Sequence, residues 1–325
     1  MKNILITNIG RRGYLVDFLK NTSFFQGKVY VSDCDTTASG LYGRNDGYFI
    51  LPKPVDDEKK YIEKLLELCL EYDIYMVIPV IDPEIYILSK YRENFWEKGI
   101  RIVVSSKKVL DICYNKLQMI VFLGKNKFCY PKTYENVNGF KKDYDKNEIS
   151  FPVILKPIYG SGSAETYKVD TLEKLQTCFH EGFLIQEFLE GTEYGVDIFN
   201  TYEGDPVRCA VKKKISMRSG ETDKALTVED EEIFSCAYRL GKCLGHVGNL
   251  DFDLLKAKGK LYIIDMNPRF GGGYPATHIA GINLLELLIR MNEGQKIEPE
   301  FHNYVSNLLV MKEVGLRMHQ VEDEL

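Results

Sequence analysis

The chain has 325 residues, 45% of them hydrophobic and 27% charged, with a formal net charge of −5. That length holds two or three domains with a sizeable core, and the composition excludes disorder as the default. The acidic balance speaks against a nucleic-acid partner, and the longest apolar run near the start is only strand-length, so neither a leader peptide nor a membrane span is expected.

In chain order, residues 4–8 read as a strand ending at Gly10 and Gly13, followed by a helical pattern over 14–19. Further strands are expected at 29–32, 76–80 and 100–104, with a helix over 59–71 that puts Ile62, Leu65, Leu66 and Cys69 on one face. Strands separated by helices imply a parallel, doubly wound sheet over residues 1–107. Gly10-Arg11-Arg12-Gly13 lacks the spacing of a dinucleotide fingerprint and reads first as a glycine turn. Ligands of open α/β sheets sit at the carboxyl ends of strands, so Arg11, Arg12, Asp33 and Asp82 are candidate substrate neighbours.

A helix is expected over 108–124, and the polar stretch 138–150 reads as a surface excursion. Strands follow at 153–157, 165–169, 183–188, 194–200, 207–215, 250–255 and 260–266, turning back through short polar loops as antiparallel hairpins. Helices interrupt them at 172–179, 230–244 and 283–292. The expected division is therefore a doubly wound domain at 1–107, an α+β unit at 108–185 and a second at 186–325.

Three segments carry the chemistry. In LYIIDMNPRFGGG, Asp265 and Asn267 are two apart on a strand and leave the same face, with Arg269 following. These are hard oxygen ligands for Mg²⁺ and a cation for phosphate oxygens. Counting back from the turn at 256–259 sets Asp251 roughly opposite Asp265, which makes Asp251 the second metal ligand and Asp253 the reserve. In FPVILKPIYGSGS, Lys156 ends an apolar strand ahead of Gly160, Ser161 and Gly162, whose backbone can cradle phosphates. In LIQEFLEGTEY, Gln186, Glu187, Phe188 and Leu189 form a hinge between strands, with Glu193 beyond it to accept ribose hydroxyls. On spacing alone this last segment is an ordinary chain reversal. Eight cysteines, none in a C-x-x-C pair, suggest reduced, mostly buried thiols of a cytoplasmic protein.

In this order the segments resemble the ATP-grasp superfamily, and within it stand-alone proteins similar to the carbamoyl-phosphate synthase large chain. The resemblance covers nearly the whole chain, and DMNPRFGGGYP is its most specific part. It implies that Lys116 and Lys156 reach the nucleotide phosphates and that Gln186–Leu189 and Glu193 hold adenine and ribose. It also implies that Asp265, Asn267 and Asp251 bind Mg²⁺ (or Mn²⁺) and that Arg269 meets the transferred phosphoryl group. Asp265 stands where glutamate is usual, and a single ATP-binding unit, where the complete synthase uses two, speaks against the whole-synthase reaction for this chain alone. By the same resemblance, Lys214 and Arg218 border the acceptor site as candidates to hold a carboxylate or phosphate, Arg218 among the catalytic set. The implied activity is ATP-dependent joining of a small carboxylate to an amine with release of ADP and phosphate, by a cytoplasmic enzyme with a homodimer as the expected assembly. The alternatives are a non-catalytic ATP-binding scaffold or regulatory subunit and, more remotely, a nicotinamide oxidoreductase.

Overall fold

The N-terminal apolar runs pair side by side because helices carry the chain back between them. The computed structural model describes residues 2–22, 24–160 and 165–319. Strands β1 (Asn3–Thr7), β2 (Val29–Asp33), β3 (Gly47–Ile50), β4 (Ile74–Pro79) and β5 (Arg101–Ile102) form a parallel sheet of order β3-β2-β1-β4-β5. Helices α1 (Tyr14–Lys20), α2 (Glu58–Glu71) and α3 (Asp82–Trp96) accompany it. The pleat sends Ile4 and Ile6 into one hydrophobic cluster and Leu5 into another, so both faces of the sheet are buried. The edge strand β3 and helix α3 were not expected. Asp82-Pro83 reads as a strand-ending turn in sequence, whereas the structure places this proline at the helix start, where its fixed φ is favourable.

Inside this domain, Glu84 on α3 is fully buried. Tyr61 donates to its Oε1, and the Thr7 and Asn8 side chains lie beside the same carboxyl. Burial, above all, pushes its pKa up to about 7 from an ordinary 4.5. The folded state therefore keeps this proton over a range in which the unfolded chain releases it. The resulting stability is complete below pH 4.5 and is lost as pH rises to 7. Chemical denaturation from pH 4.5 to 8 is expected to show the parent losing about 3 kcal/mol more stability than Glu84→Gln; parallel curves for the two proteins would refute the assignment.

The helix expected at 108–124 is two, α4 (Lys107–Tyr114) and α5 (Lys116–Lys125). They break at Asn115, whose side chain caps α5 by accepting from the backbone N–H groups of Leu117 and Gln118. The second sheet, of order β6-β9-β7-β8, is antiparallel and contains β6 (Thr133–Tyr134), β7 (Val153–Pro157), β8 (Tyr167–Val169) and β9 (Phe183–Glu187). Helices α6 (Val137–Tyr144) and α7 (Leu172–Cys178) close its own core around Phe140, Leu155, Leu175 and Ile185. Helix α6 lies in the stretch expected to be a surface excursion; only its Phe140 is buried, so the sequence there looks polar throughout. The boundary expected after residue 185 falls inside β9.

The third sheet contains β10 (Thr192–Asn200), β11 (Pro206–Arg218), β12 (Glu221–Val228), β13 (Gly248–Ala257), β14 (Lys260–Asn267) and β15 (Leu309–Met311), in the order β14-β13-β10-β11-β12-β15. Helices α8 (Glu231–Leu244), α9 (Tyr274–Ile279) and α10 (Leu284–Asn292) accompany it. Its core is continuous with one face of the N-terminal sheet, so the first and third units pack as one body while the second keeps a core of its own. Strand β12 is not among the expected strands: the positions it buries are Asp223, Ala225 and Thr227, which give no apolar alternation. The cysteines also differ from expectation: Cys69, Cys113 and Cys209 are buried, but Cys34, Cys129, Cys178 and Cys243 are exposed, and all are free. Among the described residues no helix is long and apolar enough to cross a membrane.

Candidate active site

Where the second and third sheets meet, the chain leaves a cleft of about 430 Å³. One wall is the hinge between β9 and β10, contributing Gln186, Glu187, Phe188 and Leu189, with Glu193 at the start of β10. Gln186 is buried and donates to Thr133 Oγ1 at 3.0 Å, and Leu189 is buried beside it. Glu187 is held at 3.0 Å by Lys258, and the Phe188 ring lies 4.1 Å under the Lys168 ammonium. Ile154, Leu255 and Ile264 supply the apolar faces of the slot.

The opposite end is cationic. Lys116, at the start of α5, is buried and donates to the Gly160 carbonyl. Lys156 on β7 is buried too and donates to the Ile264 carbonyl at 3.3 Å. Burial lowers its pKa to about 8, with Asp265 pulling upward and Lys116 downward. Two buried ammonium groups in one cleft, each donating to a backbone carbonyl, make a place for a polyanion. Gly160 lines the same end; Ser161 and Gly162 lie outside the described residues.

The carboxylates do not pair as the turn count suggested. A bulge between Asp253 and Leu254 shifts the β13–β14 register, so Asp253 faces Asp265 and Asp251 faces Asn267. Asp253 and Asp265 line the cleft, whereas Asp251 does not. Asn267 Nδ2 lies 3.4 Å from Asp265 Oδ2. Asp251 instead holds Arg269, whose Nη1 is 3.4 Å from its Oδ2, while Asp82 grips the same guanidinium from α3 at 3.3 Å. Burial first, then the neighbouring Asp197 and Asp253, raise Asp251 to about 7.

A second cavity, about 200 Å³, begins at the same Asp253 and Asp265 and runs outward past Asn267 and Arg269. Its far wall is Glu221, held by Arg12 at 3.1 Å and Lys312 at 3.2 Å. Arg12 thus reaches the site from the N-terminal domain, and Asp82 reaches it through Arg269; Asp33 spends its carboxylate on the backbone of Gly10 and Asp35. Lys214 lines this cavity, but Arg218 lines neither. Register shifts between Lys214 and Ser216 and between Ser216 and Met217 interrupt the alternation, so Met217 joins Lys214 on the cavity side while Arg218 pairs with Asp223 at 3.0 Å. Sequence reasoning missed Glu221 and ranked Asp253 second. The signal for Glu221 would have been the β11–β12 hairpin, which carries its strand back to the cavity.

The donor set suits Mg²⁺. Among the described residues no three His, Cys, Asp or Glu side chains converge as a ready-made metal site. Two facing carboxylates and an amide remain, and this hard ion is ordinarily held by one or two carboxylates with nucleotide phosphates completing its shell. Burial raises Asp253, as do the nearby Glu193 and Asp265 charges, which marks a place where a cation would relieve repulsion.

Comparison with known proteins agrees with this architecture. Residues 4–103 match the family described as "PylC-like, N-terminal domain" and residues 113–273 the family described as "ATP-grasp domain". The chain therefore carries an ATP-grasp domain over residues 113–273, preceded by a PylC-like N-terminal domain. It is similar to the carbamoyl phosphate synthase large chain of Clostridium perfringens, at 22% identity over 74% of this chain and 24% of that one, so it spans about a quarter of that relative's length. It is also similar to the alpha-aminoadipate–LysW ligase LysX of Sulfurisphaera tokodaii, at 26% identity over 58% of this chain and 71% of that one. In fold it matches the biotin carboxylase domain of 2-oxoglutarate carboxylase from Hydrogenobacter thermophilus, crystallised with MgADP and bicarbonate. There the TM-score is 0.74 at 16% identity, covering 95% of this chain and 73% of that one.

Proposed function

We propose that this protein is an ATP-dependent ligase that activates a carboxylate as an acylphosphate and joins it to an amine, releasing ADP and phosphate. One observation carries the proposal: the cationic cleft and the smaller cavity share Asp253 and Asp265 as a common wall. A nucleotide seated in the first would present its terminal phosphate to an acid seated in the second. The hinge from Gln186 to Leu189 would hold adenine, Glu193 the ribose, and Lys116, Lys156 and Gly160 the phosphates. Asp265 and Asn267, with Asp253 in preference to Asp251, would hold Mg²⁺ or Mn²⁺. The metal, when bound, supplies charge neutralisation on the phosphates. Arg269, clamped by Asp82 and Asp251, points its charge at the junction, where it can stabilise the transferring phosphoryl group. Chemistry of this kind needs positioning more than proton transfer, and among the described residues no histidine lines either cavity. The four-stranded sheet, with its separate core, is suited to close over the nucleotide as a lid. The relatives' ligase names agree with this assignment, and we place the protein in the cytoplasm as a homodimer.

The test is phosphate release with ATP and Mg²⁺ against a panel of amino acids and other carboxylates, with paired amines. We expect ADP and phosphate only when a particular acid is present. AMP with pyrophosphate, or nucleotide binding without phosphate release for any acid, would sink the ligase assignment; the latter result would favour a scaffold role.

A further inference from the structure

Lys214 on β11 sits between two carboxylates that the proposed reaction needs for different purposes. Its Nζ is 2.7 Å from Glu193 Oε1 and 2.7 Å from Asp253 Oδ1, and its side chain is only 7% exposed. Strand order explains the bridge. β10, which carries Glu193, lies between β11 and β13, so a lysine reaching across β10 from β11 meets Asp253 on β13. Lys214 is thus the one cation paired with both the ribose carboxylate and the metal carboxylate among the described residues.

We propose that Lys214 is a built-in counter-ion that occupies Asp253 and Glu193 before nucleotide arrives and competes with the divalent cation for Asp253. This rests on the nucleotide and metal assignments made above. Glu193, Asp253 and Asp265 would repel one another at this buried junction if no cation were present. Lys214 relieves that repulsion in the unliganded protein. A divalent cation coordinated by Asp253 would lie within a few ångströms of an ammonium still bonded to the same carboxylate, and the two charges repel strongly at partly buried sites. The lysine must therefore let go of Asp253 when the metal binds, and its hold on Glu193 weakens with it. Ribose hydroxyls loosen it from the other side. Metal and nucleoside are consequently linked through one side chain: each weakens the competitor of the other. The freed ammonium has open space in the smaller cavity, which Lys214 already lines.

The experiment uses the full chain without acid or turnover. Mn²⁺ binding is measured by electron paramagnetic resonance, and adenosine binding by calorimetry with and without Mn²⁺, for the parent, Lys214→Met and Lys214→Gln. Adenosine is chosen because it has the ribose but no phosphate to ligate the metal. Removing the competing charge is expected to tighten Mn²⁺ binding by at least about tenfold in both variants. Mn²⁺ should tighten adenosine binding several-fold in the parent and leave it unchanged in the variants. Circular dichroism identifies a variant that fails to fold, and the glutamine variant, which keeps a hydrogen-bond donor, carries the test if the methionine variant does. Mn²⁺ binding that is equal, weaker or absent in a folded variant overturns the proposal, as does adenosine binding in the parent that ignores Mn²⁺. Failure of every acid to support turnover would remove the ligase assignment and leave this result standing.

Discussion

Asp265→Ala is expected to cut acid-dependent ADP release by about a thousandfold, the scale seen when a preorganised electrostatic group is removed from a reaction centre. Asp265 lines both cavities and faces Asp253 across the β13–β14 pair, so no other carboxylate can take its place without moving a strand. Its own hydrogen bonding is slight, a 3.4 Å contact from Asn267, so the fold should survive the substitution. Adenosine binding should also survive, since the hinge from Gln186 to Leu189 and Glu193 do not depend on Asp265 for a hydrogen bond or ion pair among those the structure shows. The measurement is steady-state ADP formation with the best acid found in the panel, paired with a thermal melt. Turnover within a few-fold of the parent would refute the metal assignment. A lowered melting temperature with proportionate activity loss would show that Asp265 holds the fold instead.

Much of this site was legible in sequence because strands enforce alternation. Asp265 and Asn267 are two apart, and the pleat puts them on one face whatever the rest of the fold does. Lys156 and the hinge residues were legible for a similar reason, since each ends an apolar strand where the chain must leave the sheet. What failed were quantities that depend on pairing between strands. The turn at residues 256–259 is where expected, but an unpaired Ile264 shifts the register beyond it by one residue, which brings Asp253 opposite Asp265 and Asp251 opposite Asn267. A bulge of this kind leaves no mark on hydrophobic alternation. Arg218 shows the same effect: plain alternation from Lys214 would turn it inward, but the register shifts around Ser216 bring Met217 to the cavity and leave Arg218 to Asp223. Arg12 and Glu221 are 209 residues apart and meet only because two domains share a core. Tertiary proximity of that sort is not written in local pattern.

The run Gly271-Gly272-Gly273 looks uniform in sequence, yet its members should respond very differently to a single methyl group. A Cβ on Gly271 would lie 1.9 Å from Asp251 Oδ2, closer than any tolerable contact, so the Asp251 carboxylate must move. That carboxylate is one of the two that clamp Arg269, and its departure leaves the buried guanidinium with Asp82 as its acidic clamp. Disrupting one partner of a buried pair costs about 3 kcal/mol or more, because the remaining charge is left undercompensated. Gly271→Ala should therefore lower stability by about that amount and kcat by about a hundredfold, as Arg269 loses its aim at the phosphoryl group. The KM for ATP should change little, since neither Gly271 nor Asp251 lines the nucleotide cleft. At Gly273 the same methyl group would meet Thr222 Oγ1 at 3.6 Å and Lys212 at 3.7 Å, ordinary contact distances, so Gly273→Ala should be tolerated. Melting curves and steady-state kinetics of the two variants make the comparison. Equal behaviour would mean that Asp251 is not what positions Arg269. A selective loss of kcat in Gly271→Ala would tie the glycine loop to the chemistry through one displaced carboxylate.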